Sequence, residues 1–332
     1  MCNGSIMDKL ISFSLPLMLS GILQLMFNAV DIIVVGRFSG KQALAAVGST
    51  TALINVFTNL FIGISLGANV LAARFYAMGK SKEMSETVHT SITLAMVSGV
   101  IMAFVGVLFA SGALELMGTP DDVVDQSPLY MRIYFMGMPF FMLYNYGAAI
   151  LRAIGDTKRP LLFLIISGLI NAALNMLLVI YCHMAVEGVA IATVISQLIS
   201  GVGCLIYSIR HFEILHPEKE EMQVNKTYMM TLCGMGVPMG LQYSITAIGS
   251  VILQSAVNSL GSHAVAAMTA GSKIGMFFCC PFDALGSTMA TYGGQNVGAK
   301  KLDRVSGGLK AASILGCAYA VLAFVIMIFF RG

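Results

Sequence analysis

Nine apolar runs of 23 to 34 residues follow one another along the chain, near residues 10–36, 44–77, 88–114, 128–152, 161–183, 187–210, 229–257, 264–296 and 306–330. About 20 predominantly apolar residues in helical form cross a hydrocarbon layer of about 30 Å. Inside that layer no water is present to satisfy peptide groups, so each segment has to bond its own backbone, and serial helices are the economical solution. The composition agrees. Of 332 residues 57% are hydrophobic and only 11% charged, and the mean hydropathy is +0.84, too apolar for a chain whose surface is mostly water. The first run follows Lys9 but exceeds the core of a signal peptide and carries Pro16 and Asp31, so it reads as a retained helix. The fold class is therefore an all-α integral membrane protein of about nine transmembrane helices, with the lipid bilayer as its main partner.

Several function classes drop out on residue grounds. The net charge of +3 is dispersed among loops and forms no basic stripe interleaved with aromatics, which excludes nucleic-acid binding. The seven cysteines (Cys2, Cys182, Cys204, Cys233, Cys279, Cys280 and Cys317) show no CxxC or Cys/His spacing, and the five histidines do not pair at ligand spacing, so no metal centre or cofactor is expected. The GxGxxG, Walker A and HExxH motifs are absent. No enzymatic activity is expected.

Fourteen of the nineteen Lys and Arg residues, among them Lys9, Arg74, Lys80, Arg152, Lys158, Arg159 and Lys300, fall in loops on one side of the nine spans. By the positive-inside rule that side is cytoplasmic, and the N-terminus lies there. The chain also repeats itself. Ser14-Leu-Pro-Leu-Met matches Gly236-Val-Pro-Met-Gly, Ala43-Leu-Ala-Ala matches Ala264-Val-Ala-Ala, and Ala77-Met-Gly-Lys overlies Gly298-Ala-Lys-Lys, all at an offset of 221 to 222 residues. Six spans separate the copies, so both enter the membrane in the same direction, as in transporters with parallel repeats. This predicts a complete six-helix lobe over 1–212, a cytoplasmic linker over 213–228, and half of a second pseudo-symmetric lobe, its first three helices, over 229–332. On this offset the second copy reads as unfinished.

Polar residues within the spans mark the functional candidates. Only Asp31 and Asp283 are carboxylates well inside them, and an intramembrane carboxylate at a helix centre costs at least about 2.5 kcal/mol, so each points to an ion or proton path. Asp31 shares a helix face with Asn28 and Gln24, a polar stripe that lipid would not solvate. It is the expected cation-coupling residue, exchanging a proton or binding Na⁺. The fifth span places Asn171 and Asn175 on one face, the sixth Thr193, Gln197 and Ser200, and the seventh Gln242, Thr246 and Ser250. Taken alone, these neutral groups read as interhelical hydrogen bonding. In the eighth span Asp283 is a secondary proton-site candidate, ten residues from Lys273, about 15 Å along the axis and beyond direct pairing. Pro139, Pro238 and Pro281 remove helix bonds within spans and predict bends or exposed carbonyls.

With these residues in view, the chain resembles the bacterial type of multidrug and toxic compound extrusion (MATE) transporters. The resemblance rests on Pro16, Asn28-Ala-Val-Asp31 and Gly36 in the first span, Ala43-Leu-Ala-Ala, Leu151-Arg-Ala-Ile-Gly-Asp-Thr-Lys-Arg-Pro160, Asn171 to Asn175, Gly188-Val-Ala-Ile-Ala-Thr193 with Ser196-Gln197, and Gly294-Gln-Asn-Val-Gly-Ala299. It implies a two-lobed, twelve-helix exporter, monomeric at full length and seated in the bacterial cytoplasmic membrane. Entry of H⁺ or Na⁺ would drive the exit of small, drug-like organic cations through a cleft that alternates between the two faces. The alternatives are a flippase of related architecture for a lipid-linked sugar, which would favour a strongly cationic cleft where few intramembrane bases occur, or an inactive fragment of a transporter. The resemblance puts the cation-coupling group at Asp31, with Asn171, Asn175 and Thr193 as partners. Gln24, Asn28, Gln197, Gln242 and Thr246 become candidates for the substrate cleft. Two positions depart from the pattern. Asn175 stands where many relatives carry a second carboxylate, and Thr246 where some Na⁺-coupled relatives carry a glutamate.

Overall fold

The structure, a computed structural model, describes residues 1–116, 126–212, 224–258 and 262–329. Most of the linker expected over 213–228 lies outside them. The described chain is almost entirely helical: α1 (Ile6–Val34), α2 (Gly40–Met78), α3 (Ser81–Leu116), α4 (Gln126–Met136), α5 (Met138–Ala153), α6 (Lys158–Asn175), α7 (Val186–His211), α8 (Lys226–Asn258), α9 (Ser262–Gly298) and α10 (Leu302–Phe329). Six of these, α1, α2, α3, α6, α7 and α10, are each long and apolar enough to cross a membrane. The remaining three expected spans are the α4–α5 pair, α8 and α9. Helix ends run up to seven residues past the apolar runs because capping is done by polar residues that hydropathy does not register. Ser5 caps α1 by accepting the Asp8 amide at 3.4 Å, and Asp156 Oδ1 accepts the amides of Lys158 and Arg159 at 3.2 Å each to open α6.

The prolines behave differently from one another. Pro16, Pro238 and Pro281 sit inside continuous helices, whereas the fourth span breaks into α4 and α5 at Gly137, two residues before Pro139. Pro139 has no amide to give the preceding turn. Gly137 bonds back to the Tyr134 carbonyl at 3.0 Å and its own carbonyl starts α5 by accepting the Phe140 and Phe141 amides at 3.1 Å. The lack of a Cβ at Gly137 also admits Val194 of α7, whose Cγ2 would lie 2.6 Å from one.

The main core lies among α2, α3, α4, α5 and α7, with Phe135, Met131, Met138, Met142 and Tyr146 almost wholly buried. Buried hydroxyls in this apolar setting close onto their own helix. Thr87, Thr90, Ser91 and Ser208 each donate to the carbonyl four residues back at 2.6–2.7 Å, which satisfies these four donors within their own helices.

The helix starts repeat. α1, α2 and α3 begin at 6, 40 and 81, and α8, α9 and α10 begin at 226, 262 and 302. The first seven helices meet α8–α10 mainly where α2 packs on α8 and α9 and α1 packs on α9. Two GxxxG segments face each other there, Gly63–Gly67 of α2 and Gly236–Gly240 of α8. A Cβ on Gly63 would lie 2.1 Å from the Gly240 nitrogen, and one on Gly67 would lie 2.3 Å from the Leu232 carbonyl oxygen. Backbone therefore lies directly on backbone. Beside this crossing Thr291 of α9 donates to Asn69 Oδ1 at 2.8 Å across a separation of 222 residues, so equivalent positions of the two copies touch.

The contacts described here between α1–α2 and α8–α9 fall in the halves of those helices nearer the end of the bundle that carries the N-terminus. Toward the other end Thr51, Asn55, Gln242, Thr246 and Ser250 are exposed, and an added Cβ on Gly249, Gly271 or Gly275 would meet nothing within 4 Å. Polar side chains and glycines of both helix groups are therefore uncovered at that end.

Candidate functional site

Asp31 sits one turn before the end of α1, where the helix passes into a π-helical turn over Val35–Ser39. Asn175 is the last residue of α6, and it too precedes a π-helical segment, Met176–Tyr181. The two π segments pack against each other. Their wider turns close over the place where the Asn175 amide Nδ2 donates to Asp31 Oδ1. The same nitrogen donates to Asn171 Oδ1 at 3.1 Å. Asn171 Nδ2 donates to Thr193 Oγ1 at 3.4 Å, and the Thr193 hydroxyl donates to the Val189 carbonyl at 2.9 Å. Three helices thus contribute one chain that runs outward from the Asn175 amide nitrogen, ending on one side at the carboxyl of Asp31 and on the other, through Asn171 and Thr193, at the Val189 carbonyl.

Asn175 is fully buried and Asn171 is 6% exposed. The Asn175 carbonyl oxygen Oδ1, on the other arm of the amide that meets Asp31, is buried without a hydrogen-bond partner. An orphaned buried acceptor costs about 1–3 kcal/mol. Chemically, the pair can accept a proton on the carboxyl, with the amide rotated to take the hydrogen bond, or present both oxygens to a small hard cation.

The tyrosines of α4 were invisible to helix periodicity. Tyr130, buried, and Tyr134, half-buried, one turn apart with ring centroids at 6.1 Å, lie within electrostatic reach of Asp31, and the Tyr134 hydroxyl bonds Gln197 of α7. Gln197 thus enters the same neighbourhood through an aromatic intermediary. The available signal was two hydroxyl-bearing side chains spaced four apart, on one face at the start of the fourth span.

The other candidates are not gathered around Asp31. Gln24 and Asn28 are exposed on α1. Gln242 and Thr246 are exposed on α8, where the Thr246 hydroxyl turns back to the Gln242 carbonyl at 2.9 Å, and both lie at the uncovered end of the bundle. Asp283 is exposed on α9, with Tyr243 and Cys280 as its electrostatic neighbours. The Lys273 side chain lies outside the described residues. A cavity of about 480 Å³ lined by Lys9, Tyr76, Asp156, Lys158, Arg159 and Phe212 opens at the N-terminal end of the bundle and contains none of the candidate residues. Gly63-Ile-Ser65-Leu-Gly67 has the GxSxG spelling of hydrolase nucleophile turns, but it lies mid-helix in α2 and Ser65 donates to the Ile62 carbonyl at 2.7 Å. A nucleophile needs a strained, exposed turn and a base. Among the described residues no group of three or more His, Cys, Asp or Glu could hold a metal ion.

The MatE family model matches residues 16–177 and again 238–332, so its two matches begin as far apart as Asn69 and Thr291. The chain is 31% identical over 324 residues to the probable multidrug resistance protein YoeA of Bacillus subtilis (strain 168), covering 94% of this chain and 70% of the relative. The probable multidrug resistance protein YpnP of the same organism is 27% identical over 308 residues, with 91% and 68% covered. Among solved structures, an outward-facing multidrug resistance MATE transporter of the MOP superfamily superposes with a TM-score of 0.92 at 19% identity, covering 99% of this chain and 73% of that one.

Proposed function

The chain belongs to the MATE family of multidrug transporters, and from that premise we propose that it exports amphipathic organic cations in exchange for H⁺ or Na⁺ bound at Asp31. The observation that carries this reading is the hydrogen-bonded chain from Thr193 through Asn171 and Asn175 to the carboxyl of Asp31, set within an apolar bundle whose far end is uncovered. A carboxyl at that depth is tolerated where it does work on a cation. Residues 1–212 act as one lobe and 229–332 as the first three helices of its counterpart, joined by 213–228. The N-terminal end faces the cytoplasm of a bacterial cell, so the uncovered end forms a cleft that faces outward, and the protein works as a monomer.

In this scheme the outward cleft releases the drug and admits the ion. Occupation of Asp31 by a proton or Na⁺ removes its demand for N–H donors, freeing the Asn175 amide to turn its oxygen toward the ion. The contacts among α1, α6 and α7 reset, and the cleft recloses. Gln24, Asn28, Gln242 and Thr246 supply hydrogen-bonding groups to a bound cation, Gln197 is held by Tyr134, and Asp283 serves as a weaker second proton site.

The test is uptake of ethidium, a fluorescent organic cation, into energised inverted vesicles, whose outer face is the cytoplasmic one, under a proton gradient and a Na⁺ gradient imposed separately. Wild type should respond to at least one gradient, and Asp31→Asn should abolish that response at equal expression. Gradient-driven export that persists at the wild-type rate in Asp31→Asn, or no response to either gradient, would overturn the proposal.

A further inference from the structure

Besides the central contact of α2 with α9, where a Cβ on Gly298 would lie 2.3 Å from the Arg74 carbonyl oxygen, the two helix groups meet along two seams that the repeat makes equivalent, α2 against α8 and α1 against α9. Their construction is unlike. Along α2–α8 a Cβ on Gly236 would lie 2.4 Å from the Ile64 Cα, and one on Gly240 would lie 2.3 Å from the Leu60 carbonyl oxygen. The seam continues in both directions. Ser244 donates to the Val56 carbonyl at 3.1 Å, and Phe75 meets Tyr228 with ring centroids at 5.2 Å. At its end Asn225 donates to Glu86 Oε2 at 2.9 Å and to Thr90 Oγ1 at 3.2 Å. Asn225 immediately precedes α8, so the chain passes from one helix group to the other beside this same seam.

The α1–α9 seam has no such crossing. The positions of α1 that match Gly236 and Gly240 are Ser14 and Met18. In the corresponding stretch of α9 the lone glycine, Gly286, would place a Cβ with nothing within 4 Å. Contact here runs through side chains: Leu10 on Tyr292, with Leu285 and Met289 packed against them. Gly21 faces the Cys280 side chain, its Cβ falling 3.3 Å from Sγ and 3.5 Å from Cβ.

We propose that α2–α8 is the hinge about which the two helix groups turn, staying closed throughout the cycle, and that α1–α9 is the gate that parts. Glycine backbones in direct contact have no side chains that could follow a separating surface, so opening that seam loses its packing outright. The same small contact surface lets two helices pivot on one another. Side chains such as Leu285, Met289 and Met18 can change rotamer and keep packing while a gap forms, methionine most readily. The inference rests on the alternating cleft proposed above.

The structure supplies its own cross-link. Gly21→Cys places a thiol beside native Cys280 with a Cβ–Cβ separation of 3.5 Å, within the range of about 3.5–4.5 Å that a disulfide needs. Oxidised Gly21→Cys should lose ethidium export at least tenfold and recover it on reduction, whereas Phe75→Cys/Tyr228→Cys joined by a bifunctional maleimide, with the link verified by mass spectrometry, should export at no less than half the rate of the unlinked variant. Full export by the oxidised Gly21→Cys variant, or loss of export confined to the linked Phe75→Cys/Tyr228→Cys variant, overturns the assignment. Spin-label distances separate this from a failure of the export reading, because they need no transport. On adding tetraphenylphosphonium, the Leu15–Phe282 pair should shift by about 5 Å or more, a helical turn, and the Tyr76–Met230 pair should not. Equal shifts in both pairs overturn the hinge, and no shift in either overturns it together with the alternating cleft.

Discussion

Replacing Asn175 by Ala tests whether the carboxyl of Asp31 is held by the neutral chain beside it. The substitution removes two hydrogen bonds, one to Asp31 and one of 3.1 Å to Asn171. Polar contacts between membrane helices average about 0.6 kcal/mol and reach about 1.7, and a carboxylate acceptor belongs at the upper end. The two bonds together contribute about 2 kcal/mol on this scale. Against this, Asn175 Oδ1 is buried and unpartnered, and deleting it relieves about 1 kcal/mol of desolvation. The single variant should therefore lose only about 1 kcal/mol of stability. The coupling to Asp31 should be at least as large. In a double-mutant cycle of Asn175→Ala with Asp31→Ala, the interaction energy should be about 1–2 kcal/mol. Reversible unfolding in mixed micelles is the assay, followed by far-ultraviolet circular dichroism because the chain has no tryptophan. A coupling below about 0.3 kcal/mol, the level at which independent sites add, would refute the reasoning and leave the two residues as mere neighbours.

Other perturbations follow from the same geometry. A Cβ on Gly106 of α3 would lie 2.1 Å from Phe135 Cγ and 2.5 Å from its Cβ, so Gly106→Val should destabilise by about 1–3 kcal/mol, and Phe135→Leu, which keeps both of those atoms, should not restore it, as read by the same unfolding assay. Asn69→Ala removes a donor to the Ala149 carbonyl and an acceptor for Thr291, both at 2.8 Å, and should cost about 1–3 kcal/mol, because the Thr291 hydroxyl keeps the Ser287 carbonyl at 3.3 Å as a second acceptor. Thr291→Val breaks only the second of these bonds and should cost about half as much. At the exposed Lys80–Glu83 pair, 2.6 Å apart, solvent screens the attraction, and Glu83→Gln should leave the unfolding transition where it is in wild type.

The spans were legible because hydrocarbon imposes a length and a composition on anything that crosses it, and both are written along a single stretch of chain. The pairing of Asn171 with Asn175 was legible for a similar reason, since a spacing of four puts two side chains on one helix face. Their meeting with Asp31, 144 residues away from Asn175, depends on how α1 docks on α6, and no local period encodes docking. Tyr130 and Tyr134 were missed because a buried aromatic in a span reads as packing until its neighbour is known. The break at Gly137 was expected only as a bend near Pro139, and the continuous helices through Pro16, Pro238 and Pro281 show that a proline in a bundle does not by itself decide between the two. The facing GxxxG segments were spelled out in the sequence but carried no indication of each other, since the motif specifies a surface and leaves its partner open.

The paired π segments give Asp31 a freedom that a regular helix would deny it. Each π turn stores one surplus residue, and a surplus can be handed along a helix from turn to turn while the chain on either side keeps its hydrogen bonds. Passing it one turn toward the N-terminus of α1 would carry Asp31 about 100° around the axis, the angle of a single residue step, with neither end of the helix displaced. The carboxyl could thus leave Asn175 and face the cleft through a defect that migrates, without any part of the bundle having to unfold.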